Sequence, residues 1–164
     1  MIVVSNTSPL TNLAAIDQFD LLHRIYGRIC IAEGVWDELN TGGVRWPGSE
    51  AVAGASWIER HTVKNESLVT ALRGDLDRGE AETIALAVEL EADLVLMDEK
   101  EGRHAAQRMG LYVVGVLGVL LEAKANGVLG SVRPHLDELR QRAGFYLSEP
   151  VYQHALVLAE EVEE

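Results

Sequence analysis

Positive charge is scarce in this chain: 26 Asp and Glu stand against 14 Lys and Arg in 164 residues, a formal charge of −12 with a pI near 4.8. That balance has the wrong sign for passive attraction to nucleic acid or to an anionic membrane, so a nucleic-acid partner requires metal ions or a local basic patch to offset the field. Cysteine is down to one, Cys30, set in the apolar stretch Ile29 to Ala32. With no internal disulfide to form, the chain suits a reducing compartment, and the thiol reads as a small core residue. No apolar run approaches the roughly 20 residues of a spanning helix, and the first residues lack the charged and then apolar pattern of a secretory leader. A cytoplasmic protein with no membrane role is expected. Phosphate-loop and nucleophile-elbow glycine patterns are missing too, and "GVLG" at Gly115 to Gly118 does not fit a dinucleotide fingerprint. The five histidines, His23, His61, His104, His135 and His154, have no ligand spacing and read as surface or core residues. Trp36, Trp46 and Trp57 are not interleaved with basic residues and read as packing, with Trp46 exposed in its loop.

What is present is a 48% hydrophobic chain, long enough for one well-buried core and short for two. Apolar, β-branched runs fall at Ile2 to Val4, Arg28 to Ile31, Trp57 to Val63, Leu94 to Met97 and Tyr112 to Val114. Helical patterns alternate with them over Pro9 to Ile16, Glu33 to Asn40, Glu80 to Glu91, Glu99 to Met109, Val116 to Ala125, Pro134 to Arg142 and Val151 to Glu163. Short continuous strands separated by helices predict an α/β fold, a three-layer α/β/α sandwich around a central, mostly parallel sheet of about five strands. The runs at Ile2 and Leu94 should lie at its centre. Turn-rich "NTGGVRWPGS" and the polar stretch Asn65 to Gly79 read as loops, and the terminal "AEEVEE" reads as a solvated, fraying helix end.

Ligands of open parallel sheets bind beyond the carboxyl ends of the strands. The first run ends in Asn6, Thr7 and Ser8, with Pro9 placed for a first helical turn and Ser8 as its N-cap; the fourth ends in Asp98 and Glu99. If the two strands are neighbours, Asn6 and Asp98 face one crevice. In "EGVWDELN", Val35 and Leu39 mark the buried stripe; Glu38 lies about 60° from Val35 and leans over its edge, while Asp37, about 160° away, points to water. The helix "GEAETIALA" is apolar nearly all round, so periodicity does not choose between Glu80 and Glu82, and both are also well placed simply to favour the helix dipole. Acids converging on one crevice need a cation between them, and carboxylates without histidines suit Mg²⁺ or Mn²⁺.

In order and spacing, "SNTSPL", the V-x-x-E-L of Val35 to Leu39, "GEAETIALA" and "LVLMDEKEGR" resemble the PIN domain over roughly Met1 to Tyr146. The likeness is greatest to bacterial and archaeal PIN proteins carrying "SNTSPL", "GEAEAIALA" and "LLLDE-x-x-GR". The resemblance implies residues 1–147 as a PIN-like domain, with residues 148–164 as a C-terminal helix packed on it or extending it. It also implies a Mg²⁺- or Mn²⁺-dependent endoribonuclease, in many such proteins the toxin of a toxin–antitoxin pair. Carried over by position, the metal ligands are Asn6, Glu38, Glu80 or Glu82, and Asp98, with Glu38, Glu80 and Asp98 catalytic. Thr7, Ser8 and Arg103 fall at substrate-binding positions, although Arg103 reads equally as a solvated helix residue. The implied partners are single-stranded or structured RNA, a small antitoxin protein and a second copy of the chain, for which the apolar run Val116 to Leu121 is a candidate surface beside its plainer reading as a buried helix. One departure stands out: Asn6 occupies the place where the family usually has Asp, which removes one negative charge. A PIN-like module that binds RNA or a protein without cleaving is therefore the alternative.

Overall fold

The computed structural model describes residues 1–40 and 48–162; Trp46 and most of the turn-rich stretch lie outside the described residues. Within them the chain runs β1 (Val3–Ser5), α1 (Thr7–Ala15), α2 (Leu21–Tyr26), β2 (Ile29–Ala32), α3 (Glu33–Asn40), α4 (Ser49–Gly54), β3 (Ile58–His61), α5 (Glu66–Leu72), α6 (Arg78–Glu89), β4 (Leu94–Leu96), α7 (Lys100–Arg108), β5 (Val113–Val114), α8 (Val116–Ala125), α9 (Arg133–Gln141) and α10 (Glu149–Leu158). The five strands form one sheet in the order β3-β2-β1-β4-β5, and every pairing is parallel. The strands expected at the centre are there: β1 has β2 on one side and β4 on the other, with Ser5 opposite Leu96.

Alternation along the strands divides the core in two, because successive side chains leave opposite faces of a sheet. Val3, Ile29, Ile31, Leu94 and Leu96 join the side chains of α1, α2, α3, α8, α9 and α10. Val4, Cys30, Ala32 and Val95 meet α6 and α7 on the other face. This is the three-layer arrangement that the alternating pattern predicts, with the Cys30 thiol buried as a core group. No helix among the described residues is long and apolar enough to cross a membrane. In α8, Val116, Val119 and Leu120 are buried, while Leu117 and Leu121 are partly buried against the same core.

Several local expectations are corrected. The N-cap of α1 is Asn6 rather than Ser8, which lies inside the helix. Asn65 to Gly79 is not all loop, since α5 occupies most of its first half. The acidic tail does not simply fray. After α10 stops at Leu158, Glu161 turns back and accepts hydrogen bonds from Ser131 Oγ (2.6 Å), Val132 N (2.8 Å) and Lys124 Nζ (3.1 Å). The amides at the start of α9 have no partner within their own helix, so a carboxylate satisfies both their hydrogen bonds and the positive end of the dipole.

Candidate functional site

Polar residues are expensive to bury, so where they are buried locates what the fold protects. Among the described residues the buried polar side chains are Ser5, Asn6, Thr7, Glu80, Glu82 and Thr83. They come from two places, the β1–α1 junction and the first turns of α6.

At the junction, the Asn6 amide extends the β1–β4 ladder by donating to Leu96 O at 2.9 Å. The chain then turns into α1, whose first residues clamp two other elements. Thr7 Oγ1 donates to Glu38 Oε2 on α3 at 2.8 Å, and Asn6 Nδ2 donates to Glu99 Oε2 at 3.2 Å. Ser8 Oγ donates to the other oxygen of Glu99. Asn6 is only 3% exposed, yet its Oδ1 has no hydrogen-bond donor.

Opposite the junction, α6 begins with a capping box, in which Glu80 N donates to Asp77 Oδ1 at 2.8 Å and the Glu80 carboxylate reaches back to Asp77 N at 3.4 Å. Gly79, two residues into α6, has no side chain. A Cβ built there would stand 2.9 Å from Glu38 Oε2, 3.4 Å from Asn6 Oδ1 and 3.6 Å from Asp77 Oδ1. The missing carbon thus lets three oxygens from three parts of the chain close in on one point. Glu38, Asp77 and Gly79 also line a hollow of about 360 Å³ with Gly34, Asp37 and Arg78.

Glu82 is placed elsewhere. Its oxygens accept from Gly34 N at 3.0 Å and from Arg78 Nε at 2.6 Å. Arg78 also holds Asp37 at 2.9 Å, an ion pair at the surface to which the helical wheel pointed that side chain. Asp98 lies two residues beyond β4, and its Oδ1 accepts from Val116 N at 2.8 Å at the head of α8, while its Oδ2 is buried without a donor. Arg103, half-buried, leans the same way; a Cβ at Gly115 would meet Asp98 Oδ1 and stand 2.8 Å from Arg103 Nη1.

The carboxyls of this region are hard to ionise. Burial pushes Glu80 up to about 7, and the neighbouring Asp77 and Glu99 add to it. Burial likewise raises Asp98 to about 6, against the pull of the Val116 amide, Arg103 and Asn12. Glu38 is raised by desolvation and by the charges of Asp77 and Glu99, although Thr7 partly offsets this. Chemically the crevice is an excess of acceptors over donors. Among the described residues no three His, Cys, Asp or Glu side chains gather as a ready-made metal cage. What faces the Gly79 gap is two carboxylates and an amide. The donorless Asn6 oxygen, drawn up beside the Glu38 and Asp77 carboxylates where Gly79 lacks a side chain, fits a hard cation, whose preferred ligands are oxygens of these kinds.

Asn6, Thr7, Glu38 and, through Glu99, Ser8 are therefore brought together; Asp98 and Arg103 lie at the head of α8, Glu80 sits in the capping box, and Glu82 is committed to Arg78. Sequence reasoning missed Asp77, Gly79 and Asn12, and saw Glu99 only as the boundary between a strand and the helix after it. The D-x-x-E spacing of Asp77 to Glu80 was a readable capping signature; the other three carried no local signal. A family model described as a PIN domain, DUF3368, matches residues 2–161. No curated protein and no solved structure matches the chain.

Proposed function

The chain belongs to the PIN-domain family, a family of nuclease type that generally uses divalent metals, and from that premise we propose that it is a Mg²⁺- or Mn²⁺-dependent endoribonuclease, the toxin of a toxin–antitoxin pair. Its substrate is single-stranded or structured RNA in the cytoplasm, and a small antitoxin protein holds it in check. The observation that carries the reading is the pairing of Asn6 Oδ1, buried and donorless, with Glu38 Oε2 beside Gly79. Two oxygens turned toward one gap, with no donor on the amide, are stable together when a cation lies between them.

When bound, Mg²⁺ or Mn²⁺ supplies Lewis-acid charge for phosphodiester hydrolysis. Glu38 on α3 and Asn6 at the β1–α1 junction would hold it, and Thr7 fixes the Glu38 carboxylate by donating to Oε2. Ser8 and Asn6 tie Glu99 down and keep the ends of β1 and β4 together. Glu80 serves the site rather than Glu82, whose oxygens are committed to Gly34 and Arg78. With its carboxyl near 7, Glu80 is suited to holding or releasing a proton at working pH. Asp98 contributes charge at the head of α8, and Arg103 beside it offers a cation to an RNA phosphate.

A second reading, a PIN module that binds RNA or a partner without cutting, is favoured by the neutral amide at Asn6. Cleavage of single-stranded RNA with Mn²⁺, with Mg²⁺ and with EDTA separates the two when the parent, Asn6→Asp and Asp98→Ala proteins are run together. Metal-dependent cutting by the parent, reduced about 100-fold or more in Asp98→Ala, is expected. A silent parent beside an active Asn6→Asp protein would transfer the conclusion to the binding module. For the toxin role, growth arrest on expression of the parent and not of Asp98→Ala is the expected outcome.

A further inference from the structure

We propose that Asp77 supplies the negative charge that Asn6 lacks, so that Asp77, Glu38 and Asn6 together form the divalent-cation site around Gly79. The inference rests on the reading that this crevice binds a hard cation, and it adds a carboxylate from the N-cap of α6.

The geometry is specific. Asp77 Oδ1 is 3.6 Å from the point where a Cβ on residue 79 would stand, and Glu38 Oε2 and Asn6 Oδ1 are within 3.4 Å of that same point. Asn6 is the independent indicator, because its amide oxygen is almost fully buried, donorless and aimed at this gap. Asp77 itself is held in place by the Glu80 amide at 2.8 Å. That task needs an acceptor and not a charge, since Asn or Ser caps a helix as well as Asp does. The charge on Asp77 is surplus to capping, and it stands next to another carboxylate. The nearest cation along the chain does not neutralise it: Arg78 is bonded to Asp37 and Glu82. Both Asp77 and Glu38 line the open hollow, so an ion can enter from solvent and retain waters on its outer side. An acid moved from the end of a strand to the cap of a facing helix restores the charge of the site without restoring the residue.

Mn²⁺ binding by titration calorimetry, on the parent, Asp77→Asn, Asn6→Asp and the double variant, tests this without any turnover. Asp77→Asn keeps the cap, so its melting temperature in EDTA should match that of the parent while its Mn²⁺ affinity falls about tenfold or more. Asn6→Asp in the Asp77→Asn background should recover most of the loss. Equal Mn²⁺ affinity in the parent and Asp77→Asn overturns the role of Asp77 and leaves the cation reading standing, and so does a loss that Asn6→Asp fails to recover. A parent that binds no Mn²⁺ overturns both.

Discussion

Helix propensity would favour alanine at position 79, where the chain has glycine. In a helix interior alanine is preferred by up to about 1 kcal/mol, so the glycine has another cause, and the oxygens around it supply one. A methyl group there stands 2.9 Å from Glu38 Oε2, the far end of a long side chain that can shift by a few tenths of an ångström against its hydrogen bond from Thr7. Gly79→Ala should therefore hold or raise the melting temperature while weakening Mn²⁺ binding about tenfold, a trade of function for stability. Calorimetric melting and a Mn²⁺ titration on the same sample check both halves; a destabilised protein with parental Mn²⁺ affinity would contradict the assignment. Asn6, Glu38 and Asp98 were legible in the sequence because strand ends and helical stripes announce themselves. Asn12 and Glu99 were not, because a contact from α1 to the end of β4 depends on a turn of tertiary structure that no local spacing encodes.

Helix ends show the same limit. α1, α6 and α10 each terminate in a left-handed residue that is not glycine: Asp17 (φ 57°), Glu91 (φ 51°) and Glu160 (φ 60°). In each, the next amide reaches back to close the last turn: Gln18 to Leu13 O, Ala92 to Ala87 O and Glu161 to Leu156 O, at 2.8 to 2.9 Å. An acid in that position carries no stop signal, and the pattern overran α6 to Glu91 and α10 to Glu163. Where Gly127 holds the corresponding place after α8, the predicted span Val116 to Ala125 is the observed one. α2 and α4, six residues each, are too short to display a period, and α5 buries none of its residues and so shows no stripe. Relief of the left-handed strain makes Glu91→Gly stabilising by about 0.5–1 kcal/mol, read by urea denaturation. A loss instead would assign the Glu91 side chain a contact of its own.

Across the whole molecule, two groups of carboxyls pull the pH dependence in opposite directions. Burial alone would raise Glu161, but Ser131, Val132, Lys124 and Arg133 overcome it and hold the carboxyl down at about 2. Its contribution is present above the ordinary carboxylate range and is lost as pH falls from there toward 2. Glu80 and Asp98, raised to about 7 and about 6, favour the protonated folded state, so stability without metal declines as pH rises from the ordinary carboxylate range through those values. Metal-free protein should be most stable between these limbs, near pH 5, and Glu161→Gln should flatten the acid limb and cost about 2 kcal/mol at pH 7. Urea midpoints measured from pH 3 to 8 test this, and an unchanged acid limb in Glu161→Gln would refute it. The parallel sheet has a further consequence, in time rather than in space. β1 lies at the centre but pairs with β4, and Asn6 is 93 residues from the Glu99 it binds. Asp98 in turn waits for Val116. During synthesis the crevice stays unassembled until well over half the chain has left the ribosome, so a nascent or truncated chain carries the acids of the site without the site.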